Sequence, residues 1–294
     1  MQITINCAIF QIQSIKMSAT EEKPSRKRGQ PPSFQVISEV INEGNLNQLT
    51  AWLEEGSLPF LPVQHDDQNY FTEAAKLGSL LSVTLLYTHR QTINLGFNHY
   101  GPAFVAACLA GHSATAKYLQ DNVRGVFVPI DELFDTFIKA CGLDHLQVVR
   151  LLRHDENLDI NEPNYRGKTP LAAACQGGHL EVVKYLIKHR AKVNYESMID
   201  ADSIADDGNA LSAAVYGNHL HIVTYLIEQR KACVTMCSPL ASLYTDNIEL
   251  LTYLHQKGAG LNETRYGHNC LFNSCYIGMY VIYYYVCMRE FLLC

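Results

Sequence analysis

The stretch RGKTPLAAACQGGHLEVVKYLIKHRAKVN, residues 166–194, has the pattern of two short helices with turns around them. Thr169 is a suitable helix cap, and Pro170 suits the first helical position because an N–H there would be unpaired in any case. The pair Gly177-Gly178 ends this helix, and a second helix follows with apolar residues at helical spacing. Two such helices cannot bury their own apolar faces, so the pattern predicts neighbouring copies of the same unit.

Copies of this unit are visible along the chain as apolar anchor residues separated by 29 to 40 positions. With Leu171 as the reference, the equivalent anchors are Ile37, Phe71, Phe104, Phe137, Leu211, Leu240 and Leu271. A helix-turn-helix unit of about 33 residues that begins with Thr-Pro-Leu resembles the ankyrin repeat. We therefore predict an all-α, ankyrin-repeat solenoid of about eight helix-turn-helix units with hairpin loops.

The repeats predict three regions. Residues 1–33 are expected to form a disordered N-terminal tail because their second half is polar and rich in proline. The ankyrin array is predicted for residues 34–278, with a degenerate first and last repeat. Residues 279–294 are apolar and carry no polar capping repeat, which favours an early stop within a longer protein.

Charge and hydropathy argue against two classes of partner. The formal net charge is −6, whereas general nucleic-acid binding favours a basic chain. The apolar run near the C-terminus is too short to span a bilayer and is interrupted by Arg289 and Glu290. Because no secretory signal pattern opens the chain, we expect a cytoplasmic protein, with nuclear import through Lys23 and residues 26–28 as the alternative.

The ten cysteines invite a metal or disulfide interpretation, but their positions favour a structural one. Four of them occupy the register where other repeats carry alanine, which is typical of small buried core residues: Cys108, Cys141, Cys175 and Cys275. The pairs Cys233/Cys237 and Cys270/Cys275 are spaced more loosely than usual zinc ligands. We predict no metal and no cofactor.

The histidines follow the repeat as well. His112, His145, His179 and His219 share one repeat position, where such a side chain typically bonds the backbone of the adjacent loop. The chain contains no phosphate-binding glycine loop, nucleophile elbow or HExxH motif. The sequence therefore predicts a binding protein and not an enzyme.

The concave face of an ankyrin array is built from hairpin tips and the exposed side of the first helices. The candidate partner-binding residues at these positions are Tyr165, Arg166, Lys168, Gln176, Asp206, Tyr216, Arg265, Tyr266, His268 and Tyr276. Tyrosine suits such a surface because it combines contact area with a hydrogen bond. The alternative interpretation is that these polar side chains only face solvent.

A long acidic loop separates the fifth and sixth anchors. Residues 195–208 lengthen this interval to 40 residues and contain Asp200, Asp202 and Asp206. Such a cluster is either a solvated loop, an acidic patch for a basic partner, or an oxygen-rich cation site. The spacing does not match a calcium-binding loop, so the first two interpretations are favoured.

Residues 167–278 also resemble one ankyrin family more specifically. A Gly-x-Thr-Pro-Leu repeat, the acidic loop, a Ser-Pro-Leu repeat and RYGHNCLFNSCYIG at 265–278 follow each other as in the feminization (Fem) proteins. Within the acidic loop, Ile199-Asp200 and Ile204 fit the family pattern, whereas Ser212 stands where the family has tryptophan.

The Fem resemblance implies a more specific function. Fem proteins are substrate receptors of cullin ubiquitin ligases, and their ankyrin groove binds the C-terminal ends of target proteins, often at an arginine. On this resemblance Asp200 would bind that arginine. The family's C-terminal ligase-binding region has no counterpart in these residues, so cullin recruitment is expected only where such a region is present. Two hypotheses follow: a general protein-binding module, and a Fem-like receptor for ubiquitination substrates.

Overall fold

A computed structural model describes residues 31–59, 69–123, 126–155, 158–195, 209–236 and 247–259. Every regular element in these ranges is helical, which confirms the predicted all-α class. The α-helices are α1 (Phe34–Asn42), α2 (Leu46–Glu55), α3 (Tyr70–Lys76), α4 (Leu80–Thr88), α5 (Tyr100–Leu109), α6 (Ser113–Asn122), α7 (Ile130–Gly142), α8 (Leu146–Asp155), α9 (Pro170–Gly177), α10 (Leu180–Lys188), α11 (Ala210–Tyr216), α12 (Leu220–Thr224) and α13 (Ile248–Gln256). Helix α12 continues as a π-helical turn, Tyr225–Gln229, and short 3-10 helices cover Phe97–His99 and Val234–Met236.

The helices follow one another as the predicted helix-turn-helix pairs, from α1/α2 to α11/α12. Helix α13 is the second helix of a seventh repeat, and its first helix and the whole eighth repeat lie outside the described residues. The chain divides into two compact units, Met1–Thr136 and Phe137–Cys294. Within each unit, first helices pack on first helices, as α3 does on α5 and α9 on α11, and second helices on second helices. This is the stacking of a solenoid, in which each repeat is covered by its neighbours.

The fifth repeat forms its helices as its sequence predicts. The Thr169 hydroxyl accepts a hydrogen bond from the backbone N–H of Ala172 at 3.1 Å, and Pro170 is the first residue of α9. Gly178 then ends the helix with a positive φ of 83°, a conformation that glycine adopts without steric cost. The predicted cap, proline and glycine break are therefore all confirmed.

A residue with positive φ follows the first helix of each of the six repeats whose first helix is described. It is Gly44, Gly78, Gly111, Asp144, Gly178 and Asn218, with φ between 60° and 83°. Asparagine and aspartate are the non-glycine residues that tolerate this conformation best, because their short polar side chains bond locally. The replacements of glycine in the fourth and sixth repeats therefore preserve the turn.

The predicted anchors form the core of the described repeats. Ile37, Phe71, Phe104, Phe137, Leu171 and Leu211 are each at most 4% exposed, and the small residues that follow them are buried as well. The remaining anchors, Leu240 and Leu271, lie outside the described residues. The apolar spacing therefore identifies the buried core positions of these repeats.

We expect repeats five and six to be the most stable part of the chain. Their caps, anchors and turns agree best with the repeat, and the stability of such arrays is close to a sum of unit and interface contributions. Native-state hydrogen exchange should therefore be slowest for backbone amides of residues 169–189 and 211–227. Slowest exchange in α1 and α2 would contradict this expectation.

Candidate partner-binding surface

The hairpin before α9 is a tight turn organised by Asn164. Its side-chain oxygen accepts hydrogen bonds from the backbone N–H groups of Arg166 and Lys168 at 3.1 and 3.0 Å. Its backbone N–H donates to the carbonyl of Lys168 at 3.0 Å, and Gly167 takes a positive φ of 85°. These bonds close the turn and place Tyr165 and Arg166 at its tip.

Tyr165 and Arg166 form a contact pair at this tip. Tyr165 is 78% exposed, and the Arg166 guanidinium lies 5.3 Å from the centre of its ring. The Nε–H of Arg166 also donates to the Tyr165 hydroxyl at 3.0 Å. The pair offers an apolar ring and a positively charged donor side by side, a combination enriched in protein-binding hot spots.

Lys168 and Gln176 connect the tip to the far end of α9. The Lys168 ammonium donates a hydrogen bond to the Gln176 side-chain oxygen, and both residues are half-buried. The Gln176 backbone carbonyl accepts from His219 of the next repeat at 3.0 Å. Lys168 and Gln176 therefore lie along one side of α9, and the carbonyl links this helix to the following repeat.

The structure brings together four of the predicted partner-binding residues: Tyr165 with Arg166, and Lys168 with Gln176. We call these four residues the tip surface. Tyr216 is half-buried at the end of α11. The other predicted residues lie outside the described residues: Asp200, Asp202, Asp206, Arg265, Tyr266, His268 and Tyr276. Chemically, the tip surface can supply apolar contact area and two cationic donors to carbonyl or carboxylate groups.

Two of the four repeat-position histidines bond the backbone of a neighbouring repeat, as predicted. The Nε2–H of His179 donates to the Gly142 carbonyl, and that of His219 to the Gln176 carbonyl, both at 3.0 Å. Burial lowers the pKa of His219, and the nearby His221 and His179 act in the same direction against the raising effect of the Gln176 carbonyl. The neutral imidazole is thus the favoured form of His219, in keeping with a structural hydrogen bond.

Three of the four cysteines described by the structure occupy the core positions that the repeat predicts, whereas Cys233 is half-buried. Cys108, Cys141 and Cys175 are buried with free thiols, and burial raises the pKa of Cys108 to about 12 and that of the other two further. Thiols held in the neutral form are poor metal ligands and poor nucleophiles. In the described ranges no three His, Cys, Asp or Glu side chains are placed to share a metal ion. Cys237, Cys270 and Cys275 lie outside those ranges.

We expect folding to be independent of metal ions. Because the core thiols are buried and neutral, a strong chelator such as EDTA should leave the melting temperature unchanged. Thermal unfolding followed by circular dichroism, with and without chelator, measures this. A fall of several degrees that added zinc reverses would show a metal site that the repeat pattern did not predict.

Three strongly exposed apolar residues were not predicted from the sequence. Phe97, Phe127 and Ile130 are 73%, 78% and 61% exposed. Periodicity alone treats apolar residues as candidate core, so it did not single them out. A usable signal was present, however, because Phe97 and Ile130 each lie seven residues before an anchor, where the fifth repeat has the turn residue Asn164.

Comparison with known proteins agrees with this architecture. A family model described as ankyrin repeats (3 copies) matches residues 137–238. The crystal structure of the human ASB11 ankyrin repeat domain superposes with a TM-score of 0.52, covering 69% of this chain and 90% of that one. At a sequence identity of 21%, this superposition shows a shared fold and no more. The described residues therefore form an ankyrin-repeat array, a fold that typically serves as a non-catalytic interaction module.

Curated relatives match only over short segments. The chain is 39% identical over 64 residues to the rice (Oryza sativa subsp. japonica) protein "Probable E3 ubiquitin-protein ligase XBOS32", which is 22% of this chain and 13% of that protein. It is 31% identical over 102 residues to rice "Probable E3 ubiquitin-protein ligase XBOS33", a segment that makes up 34% of this chain and 19% of that protein. It is 29% identical over 105 residues to "Ankyrin repeat and KH domain-containing protein mask" of Drosophila melanogaster, a segment that makes up 34% of this chain and 2% of that protein. The matched segments span at most 19% of these relatives.

None of the helices in the described ranges combines the length and the apolar character that crossing a membrane requires.

Proposed function

We propose that this ankyrin-repeat chain is a non-catalytic module that binds a partner protein through the tip surface of its second unit. The observation that carries the proposal is the pairing of Tyr165 with Arg166 at the hairpin tip. A tyrosine that is 78% exposed contributes little to the stability of its own fold, and the hydrogen bond to Arg166 restricts both side chains before a partner arrives. Restricting side chains in advance lowers the entropy that binding must offset.

The chemistry of the tip surface indicates what it contacts. Arg166 and Lys168 offer charged donors, and Gln176 offers an amide that both donates and accepts. These groups suit backbone carbonyls and carboxylates of a peptide or loop, while the Tyr165 ring covers an apolar side chain. The chain's net charge of −6 does not favour the phosphate backbone of nucleic acids as the partner.

Affinity purification with quantitative mass spectrometry tests this proposal. The full chain is compared with a Tyr165→Ala/Arg166→Ala variant and with Lys188→Ala, an exposed control on α10 that removes one positive charge as the variant does. We expect a defined set of proteins to be lost with the tip variant and kept with the control. For a purified partner, the affinity should fall by about tenfold or more. Equal recovery with all three proteins would refute the proposal.

A second candidate is a Fem-like receptor that selects C-terminal degrons for cullin-dependent ubiquitination. Three observations favour it: the motif at 265–278, the acidic loop with Asp200, Asp202 and Asp206, and the ubiquitin-ligase names of the two rice relatives. A C-terminal arginine carries both a carboxylate and a guanidinium. The cations Arg166 and Lys168 suit the first group, and the acidic loop suits the second.

Substitution of Asp200 tests this candidate. Asp200→Asn preserves the shape of the side chain and removes its charge, so the preference for arginine-ended over alanine-ended peptides should disappear, and wild-type binding should weaken as salt rises. Titrations of both peptides into the wild type and the variant measure the preference. Equal binding of the two peptides by the wild type would indicate that the acidic loop is only solvated and does not bind the arginine. Co-purification of a cullin–elongin complex is the separate test for a ligase function.

A further inference from the structure

The three most exposed large apolar residues described in the first unit lie outside its core. Phe97, Phe127 and Ile130 are exposed over most of their surface, whereas Phe104 is 4% exposed and Phe137 is not exposed at all. We call the three exposed residues the apolar patch. Single exposed apolar side chains are ordinary, but two phenylalanines and an isoleucine in one region expose area that folding alone would bury.

The two phenylalanines lie against the same turn of helix. The Phe97 ring packs edge-on against Tyr100, the first residue of α5, at 5.9 Å between ring centres. The Phe127 carbonyl approaches Gly101, the second residue of α5, so closely that a Cβ there would lie 2.4 Å from the oxygen. Ile130 follows three residues later as the first residue of α7. The N-terminal end of α5 therefore contacts the Phe97 ring and the Phe127 backbone, and the start of α7 adds the third residue.

This end of α5 is a rigid support. Tyr100 is 4% exposed, and its hydroxyl donates a hydrogen bond to the Leu95 carbonyl at 3.3 Å. Its ring also contacts Phe71 and Tyr87 edge-on, at 6.2 and 5.8 Å between centres. A rigid support presents exposed side chains with little entropy left to lose, which favours binding.

The turn itself does not need these residues. The fifth repeat has Asn164 seven residues before its anchor, where the side chain closes the hairpin by bonding backbone N–H groups. Phe97 and Ile130 occupy the same offset before Phe104 and Phe137, and neither can form such bonds. The residue types at these positions are thus explained by what they present outward and not by the local fold.

The charges beside the apolar patch indicate the kind of segment that fits. Asp131 and Glu132 are exposed in the first turn of α7, directly after Ile130, and Asp135 is half-buried one turn later. Carboxylates in a first turn also stabilise the helix dipole, and here they place negative charge next to exposed apolar area. Arg90 is a basic side chain near α5, because it stacks on Tyr87, whose ring contacts Tyr100. It is exposed, lies 4.9 Å over the Tyr87 ring and donates to the Tyr87 carbonyl.

We propose that the apolar patch docks a segment of a partner protein that combines a bulky apolar side chain with a nearby lysine or arginine. The apolar side chain packs on Phe97, Phe127 and Ile130, and the basic group pairs with Asp131 and Glu132. This site lies on the first unit and does not depend on the tip surface of the second. Either proposal can therefore be refuted without the other.

A random-peptide display selection on the purified full chain tests the proposal. The library is first depleted on a Phe97→Ser/Phe127→Ser variant, which removes peptides that bind elsewhere, including the tip surface. We expect the enriched peptides to carry a large aliphatic or aromatic residue with lysine or arginine within about four positions. Fluorescence anisotropy with the best synthetic peptide should show a loss of about tenfold or more for Phe127→Ser.

Charge and folding controls accompany this measurement. Asp131→Asn/Glu132→Gln should weaken binding several-fold and reduce its salt dependence, while Lys188→Ala, an exposed substitution on α10, should leave it unchanged. The substituted side chains are exposed, so the melting temperature should fall only slightly, through the lost dipole contribution of Asp131 and Glu132 and the lost contact of Phe97 with Tyr100. Ile130→Ser provides a second test if the double serine variant fails to fold, and should weaken binding in the same way.

Several results would overturn the proposal. They are the absence of enriched peptides, enriched peptides without basic residues, and peptides whose binding is indifferent to Phe127→Ser. Concentration-dependent self-association in sedimentation velocity that Phe127→Ser abolishes would instead identify a second copy of the chain as the occupant.

Discussion

Replacing Leu186 with alanine is expected to lower the free energy of unfolding by about 2–5 kcal/mol. Leu186 lies on α10, and its side chain is completely buried. The truncation removes apolar contacts and leaves a cavity that the stacked repeats cannot fully close. Urea denaturation followed by far-ultraviolet circular dichroism measures the loss. The fluorescence of Trp52, the only tryptophan, reports on the first unit alone and helps to locate the effect.

The adjacent Ile187 provides the matched control. It is half-buried on the same helix, so Ile187→Ala changes helix propensity and side-chain size in a similar way but creates a smaller cavity. Its cost should therefore be clearly smaller than that of Leu186→Ala. Comparable losses for the two variants would mean that burial between repeats is not the source of the effect.

Gly178→Ala is expected to cost about 2–3 kcal/mol through two separate effects. The first is backbone strain, because Gly178 has a φ of 83°. The second is a clash across the repeat interface, since the new Cβ would lie 2.5 Å from Cε1 of the His219 ring. The ring must move, and its hydrogen bond to the Gln176 carbonyl is then lost. Denaturant unfolding of the variant measures the sum of both effects.

Gly258→Ala separates these two effects. Gly258 also has a positive φ, 98°, but no atom lies within 4 Å of its added Cβ, so only the backbone strain remains. A double-mutant cycle with His219→Ala should show that the interface part of the Gly178→Ala cost vanishes when the imidazole is absent. Equal costs at the two glycines, or full additivity in the cycle, would show that the histidine contact contributes nothing.

The local structure of the repeats follows from short-range chemistry, which is why the sequence predicts it. Thr169 and Pro170 begin a helix through bonds and sterics that involve only their next few residues. Apolar spacing identifies Phe71 and Leu171 as core positions because only one face of each helix can be covered by a neighbour. The replacement of glycine by Asp144 and Asn218 appears in the sequence as a weakened motif. The positive φ at both positions shows that the turn is intact.

The candidate site was predictable in position but not in its contacts. Repeat register predicts Tyr165, Arg166 and Lys168 at a hairpin tip, and the structure has a turn there that the Asn164 side chain closes. Partner binding by these residues stays a prediction. That Lys168 bonds Gln176, eight residues away at the other end of α9, depends on side-chain conformations that no periodicity encodes. The roles of Asp200 and of the motif at 265–278 remain predictions from the sequence.

By itself, the sequence determined the repeat, its helices and caps, and the residues that become core, because each of these depends on neighbours within one or two turns of chain. Only the tertiary structure decided which apolar residues stay outside. Phe97 and Phe104 have the same side chain and lie seven residues apart, yet one is 73% and the other 4% exposed. Phe97 lies in the 3-10 helix before α5, whereas Phe104 lies within α5, which packs on α3 and α6. Such contacts join residues far apart in the chain, so exposure, and with it the apolar patch, appears only when the repeats are stacked.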